Sequence, residues 1–208
     1  MVSATFINLY STMHRGGLLI RPRRIVNGAA RICRSISDTA NRTHCKQKFP
    51  MPRDQFSPVQ AQEVAAAFAN HQVDYMFIGK SGAILLGYPG TTQDVDVYPL
   101  KDPENGQRIV NALDGLGFVL DDSLKNDIVQ GKDFVQIKSG PFDIDLVFAP
   151  DGIESYEKAK SRMDTSSGFP VLNIRDIIAS KRSAGRARDQ VELPLLEAFR
   201  EVYEKRQE

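Results

Sequence analysis

Apolar positions along the chain fall into short blocks whose period switches between helical and extended spacing from about residue 58 onward. After Pro58, Val59, Val64, Ala67 and Phe68 form one helical stripe, predicting a short opening helix. Residues 73–78 are apolar on both faces after their first positions, the pattern of a central strand. Gly79 punctuates that run, and Ser81 to Leu86 reads as a helix packed closely through Gly82 and Ala83. Gly87, Pro89 and Gly90 predict a loop, and Thr91 to Tyr98 a second strand stopped by Pro99. Beyond Pro103, Ile109, Val110, Leu113 and Leu116 share one helical face. Strands are predicted at 117–120, 133–138 and 142–148, the last two joined by the hairpin signal Ser139-Gly140-Pro141. Helices at about 153–163, 174–183 and 193–206 complete the order, with the short apolar stretch 169–172 between the first two. The alternation predicts an α/β (α+β) fold, a mixed sheet flanked by helices.

The first fifty residues lack such periodicity. They hold Gly16-Gly17, Pro22, Gly28 and scattered Ser, Thr and Asn, so residues 1–52 are expected to be a poorly ordered extension and 53–208 the folded domain. Charge sharpens that division. Up to Arg53 there are ten basic residues and one acid, a net +9; the remainder carries −8, although the whole chain is only +1. An Arg-rich, acid-poor start fits a transit segment, a nucleic-acid-binding arm, or sequence lying upstream of a start at Met51. No apolar run reaches the roughly 20 residues that a membrane helix needs, and the expectation is a cytoplasmic protein with no membrane partner. Cys33 and Cys45, both in the extension, have no zinc-ligand spacing.

The chemistry concentrates in two strands. In Thr92-Gln93-Asp94-Val95-Asp96-Val97, alternation puts Asp94 and Asp96 on one face, about 7 Å apart. Two like charges on an otherwise apolar strand repel and resist burial, and a hard cation resolves the conflict. A solvated acidic edge would serve equally well for that pair alone. Phe142-Asp143-Ile144-Asp145-Leu146 repeats the pattern, and if the strands are neighbours three carboxylates converge, as two-metal phosphoryl or nucleotidyl transfer requires. Gly79-Lys80-Ser81 stands between strand and helix, where backbone N–H groups can cradle phosphate. It is not a P-loop, because position 74 is Asp rather than the required glycine. His71 reads as a helix-ending residue, and Lys181, Arg182, Arg186 and Arg188 form the domain's most basic patch, fitting equally a surface for RNA or substrate phosphates and a solvated helix end that pairs with Asp189 and Glu192.

Together, Phe77-Ile78-Gly79-Lys80-Ser81, Thr92-Gln93-Asp94-Val95-Asp96 and Phe142-Asp143-Ile144-Asp145-Leu146 resemble the minimal nucleotidyltransferase superfamily, in particular the AbiEii-type toxins and stand-alone bacterial nucleotidyltransferases. The stretch from Asp176 to Asp189 resembles that family's downstream helix with its Lys, Arg-rich turn and Asp. The likeness spans roughly residues 56–203 and implies a nucleotidyltransferase-like sheet. It implies that Asp94, Asp96 and Asp145 hold magnesium, with Asp143 in reserve, and that Asp145 helps activate a hydroxyl. Gly79, Lys80, Ser81, Thr92 and Asp189 would line the NTP site, and Lys181 would contact phosphate or acceptor. The family's second glycine is Lys80 here, a side chain where close backbone approach is usual. Two functions follow as expectations. One is transfer of a nucleoside monophosphate from an NTP to a hydroxyl of RNA, protein or a small molecule. The other is a catalytically degenerate nucleotide- or partner-binding protein of a toxin–antitoxin type system.

Overall fold

In the computed structural model, residues 55–207 are described, and the expectations for residues 1–52 lie outside them. The order is α1 (Pro58–Asn70), β1 (Tyr75–Phe77), α2 (Gly79–Leu85), β2 (Asp94–Pro99), α3 (Pro103–Leu116), α4 (Asp122–Val129), β3 (Phe134–Ile137), β4 (Asp143–Val147), α5 (Tyr156–Ser161), α6 (Ile174–Ala184) and α7 (Ala187–Glu204). This is the mixed α+β architecture that the alternation predicts.

The sheet runs β1-β2-β4-β3. β2 and β4 are parallel neighbours at its centre, and β1 and β3 pair antiparallel outside them. Register fixes two contrasting faces. Val95 and Val97 lie level with Ile144 and Leu146, and these with Ile137 and Val135. The four β2 and β4 residues of that set are fully buried, and the layer is the centre of the core. The opposite face changes character along its length. Met76 and Tyr98 are paired and buried at one end, where Tyr98 meets Tyr156 of α5 edge to face. At the other end the face carries Asp94, Asp96, Asp143 and Asp145. Apolar covering thus stops where the carboxylates begin.

Several expectations need correction. The run 73–78 is not a central strand: β1 has three residues and stands at the sheet's edge. Its apolar character has another cause, because the segment 170–172 covers that edge. Phe77 N–H donates to Pro170 O at 2.7 Å and Leu172 N–H to Phe77 O at 2.8 Å. Val59 is 59% exposed, and the buried stripe of α1 is Ala61, Val64 and Phe68. The predicted strand at 117–120 is a single extended crossing. Phe118 N–H closes α3 on Leu113 O, and Val119 N–H reaches Ser139 O. Behind it lies a helix the periodicity does not announce, α4, whose N-cap Asp121 accepts from Leu124 N–H at 2.7 Å. β2 begins at Asp94 rather than Thr91 and includes Pro99, which can sit there as a terminal residue without a donor to lose. α5 is shorter than 153–163, and α7 starts at Ala187, carrying Pro194 within it. The hairpin at 139–141 joins β3 to β4 as predicted. No helix among the described residues is long and apolar enough to cross a membrane.

Candidate metal and phosphate site

Parallel pairing of β2 with β4 sets Asp94 level with Asp143 and Asp96 level with Asp145. Each of Asp94, Asp96 and Asp145 offers an oxygen within 4.8 Å of the others. Asp143 shares the face but lies outside that group, so the reserve position is not the one the fold brings in. Asp145 is 6% exposed, and its Oδ1 is buried without a hydrogen-bond partner among the described residues. A buried, unpaired carboxylate oxygen is costly, and coordination of a cation is one arrangement that relieves the cost.

Short polar contacts hold the other two acids. Thr92 Oγ1 donates to Asp94 Oδ1 at 2.7 Å. Ser81 accepts from Asp96 N–H at 2.8 Å through its Oγ, and its hydroxyl and backbone N–H reach Asp96 Oδ2 at 3.3 and 3.4 Å. Ser81 is fully buried, so this tie between α2 and β2 is shielded from water. Gly79, at φ +66°, is just as specific. A Cβ there would stand 2.6 Å from Asp96 Oδ2, so the glycine is what lets the carboxylate approach the β1–α2 turn.

Crowding raises the proton affinity of the cluster. Burial, then the charges of Asp94 and Asp145, push Asp96 up to about 7, against the Ser81 N–H and Lys181. Burial and Asp94 push Asp145 up to about 6, while the Gln136 side chain, level with it on β3, and the charge of Lys138 work the other way. A cation binds the ionised acids, so it relieves their repulsion and competes with protons for the site.

The predicted lysines flank this centre, already engaged. Lys181 Nζ lies 3.1 Å from Asp189 and 2.9 Å from Glu192, with only 14% of its side chain exposed. It is therefore not the solvated end of a basic patch. Arg182 pairs with Glu197, while Arg186 and Arg188 are exposed. Lys80 Nζ is 2.8 Å from the same Glu192. Glu192 is a site residue that sequence reasoning passed over except as a helix-end partner, and its only local signal is its place three residues after Asp189. Burial pushes its carboxyl up, but bonds from Lys80 and Lys181 outweigh this and hold it below the usual range. His71 caps α1, its Nδ1 2.9 Å from Ala67 O, away from the chemistry.

Comparison with models of known protein families gives no match for this chain, and comparison with curated proteins gives none.

Proposed function

We propose that this protein is a magnesium-dependent nucleotidyltransferase that moves a nucleoside monophosphate from an NTP to a hydroxyl and releases pyrophosphate. The observation that carries the reading is the convergence of Asp94, Asp96 and Asp145 from two parallel neighbouring strands, with Asp145 Oδ1 buried and unpaired. All three donors are carboxylate oxygens, the ligand type magnesium prefers. Asp94, Asp96 and Asp145 would hold the ion, which when bound supplies stabilisation of the charge developing on the phosphate oxygens. The chain's own groups do the rest. Thr92 and Ser81 fix the rotamers of Asp94 and Asp96, so the site costs little reorganisation. Gly79 keeps the turn beside Asp96 free of a side chain. Asp145, with its raised proton affinity, is suited to accept the proton of the attacking hydroxyl. Lys181, whose charge acts on Asp96, and Lys80, in the first turn of α2 beside Ser81, are the cations proposed to meet phosphate.

One observation favours the second reading, a nucleotide-binding protein without turnover: both lysines are already paired with acids. The two readings part in one experiment. The full chain is incubated with each labelled NTP, magnesium and a total cell extract, beside Asp94→Ala/Asp96→Ala. Label on an RNA, protein or small-molecule band that the double variant lacks is the expected result and names the acceptor class. Thermal stabilisation by magnesium and NTP, with neither label nor pyrophosphate, would instead establish the binding protein.

A further inference from the structure

Two lysines beside the carboxylate cluster share one anion, and that anion is the protein's own. Glu192 lies 2.8 Å from Lys80 Nζ and 2.9 Å from Lys181 Nζ, with 13% of its side chain exposed. Lys181 turns also to Asp189, which is 4% exposed. Lys80 is led to this point by a fitted path. Gly90 has no Cβ, and one placed there would stand 3.2 Å from Lys80 Cε and 2.6 Å from the Tyr88 ring. The quartet sums to zero charge, so as it stands it offers a polyphosphate no net attraction.

Fold stability does not account for the arrangement. A largely buried ion pair recovers its desolvation cost only with good geometry and adds little over apolar packing. α6 and α7 are already joined by the outer Arg182–Glu197 pair and by core residues Ile177, Ile178 and Leu196. A carboxylate held between two ammonium groups does, however, occupy the position that a phosphate oxygen takes in a charge-assisted site.

We infer that Glu192 is a resident anion that keeps Lys80 and Lys181 occupied until a substrate's polyphosphate chain displaces it. This rests on the proposed reading that both lysines face phosphate. It makes Glu192 a specificity-determining residue. A triphosphate brings several charges to the exchange and replaces the single carboxylate, whereas a monophosphate gains little by the trade. On departure of pyrophosphate, Glu192 returns to the lysines and opposes rebinding.

The test is calorimetric titration of the full chain with inorganic tripolyphosphate, with divalent metal removed by chelation, for the wild type, Glu192→Gln and Glu197→Gln. Removing one competing charge is expected to tighten tripolyphosphate binding by about tenfold in Glu192→Gln. Glu197→Gln, which removes the same charge from an exposed pair on the outer side of α6 and α7, should bind as the wild type does. Equal or weaker binding by a folded Glu192→Gln would overturn the inference. If that variant does not fold, Glu192→Asp carries the test on the same criterion, since it withdraws the carboxylate by one methylene and keeps its charge. No nucleotide, metal or transfer enters the titration, so failure of the proposed reaction and failure of this inference are separate results.

Discussion

Gly79 shows how much of this site depends on one absent side chain. Alanine at that position would carry two burdens: a left-handed φ of +66°, and a Cβ 2.6 Å from Asp96 Oδ2. Gly87 separates them, since its φ is +99° but a Cβ there would meet nothing within 4 Å. Gly87→Ala should therefore lose only the backbone strain, about 1–2 kcal/mol. Gly79→Ala should lose more, of the order of 3 kcal/mol, and should also lose stabilisation by magnesium. Urea unfolding of both variants checks this, and equal losses would show that Asp96 moves aside freely. At this scale the carboxylates were legible because strand alternation alone places them on one face. Glu192 was not, because its meaning lies in Lys80, more than a hundred positions earlier, and only α7 folding back onto α2 and α6 brings them together.

Elements depend on comparable small ties between distant segments. Asn105, in the first turn of α3 and 2% exposed, accepts from Asp74 N–H at 2.8 Å and donates to the carbonyls of Asp74 and Leu100 at 3.0 and 2.9 Å. It thereby joins the entry to β1 with the exit of β2. Asn105→Ala would leave the Asp74 N–H without its acceptor, whereas the carbonyls of Asp74 and Leu100 keep the backbone N–H groups of Leu100 and Asp102, each at 3.0 Å. A loss of roughly 1–2 kcal/mol is expected from the midpoint of chemical denaturation. Asn105→Asp should recover the acceptor role only, and so fall between. A loss below about 0.5 kcal/mol would mean that water replaces these bonds. Such ties explain which elements the chain's pattern disclosed. α3 shows itself through its apolar face and the Asp102-Pro103 start. α4 offers only Leu124, Ile128 and Val129 as apolar anchors, and just one of them is fully buried, so period alone does not reveal it. At 117–120 the alternation of buried Phe118 and Leu120 with exposed Val119 imitates a strand. The onset of α7 was obscured by the Arg-rich turn and by Pro194, which lies in the helix yet lacks an N–H for the carbonyl of Gln190.

For the molecule as a whole, the carboxylate cluster links stability to pH and to metal. Burial and mutual repulsion push Asp96 up to about 7 and Asp145 up to about 6 in the folded chain, above the ordinary carboxylate range. The folded state therefore binds more protons than the unfolded chain across that interval, and stability falls as pH rises through it. The loss is complete above the folded values and absent below the unfolded one. Glu192 and Asp164 are shifted the other way, so their contribution is retained here and lost only in more acidic solution. Metal-free protein should thus be more stable at about pH 5 than at about pH 7.5, by of the order of 2 kcal/mol once partial hydration of the site is allowed for. Asp96→Asn removes the larger part of that slope and should be more stable than the wild type at the higher pH while unable to transfer label. Magnesium reverses the trend, since it binds the ionised acids and is opposed by their protons. Its stabilising effect should accordingly be larger at about pH 7.5 than at about pH 5. Thermal melts at the two pH values, with chelator and with magnesium, measure all four states. A metal-free melting temperature that is level or rises over the interval would show that the three acids do not share one site, and would remove the basis for placing an ion among them.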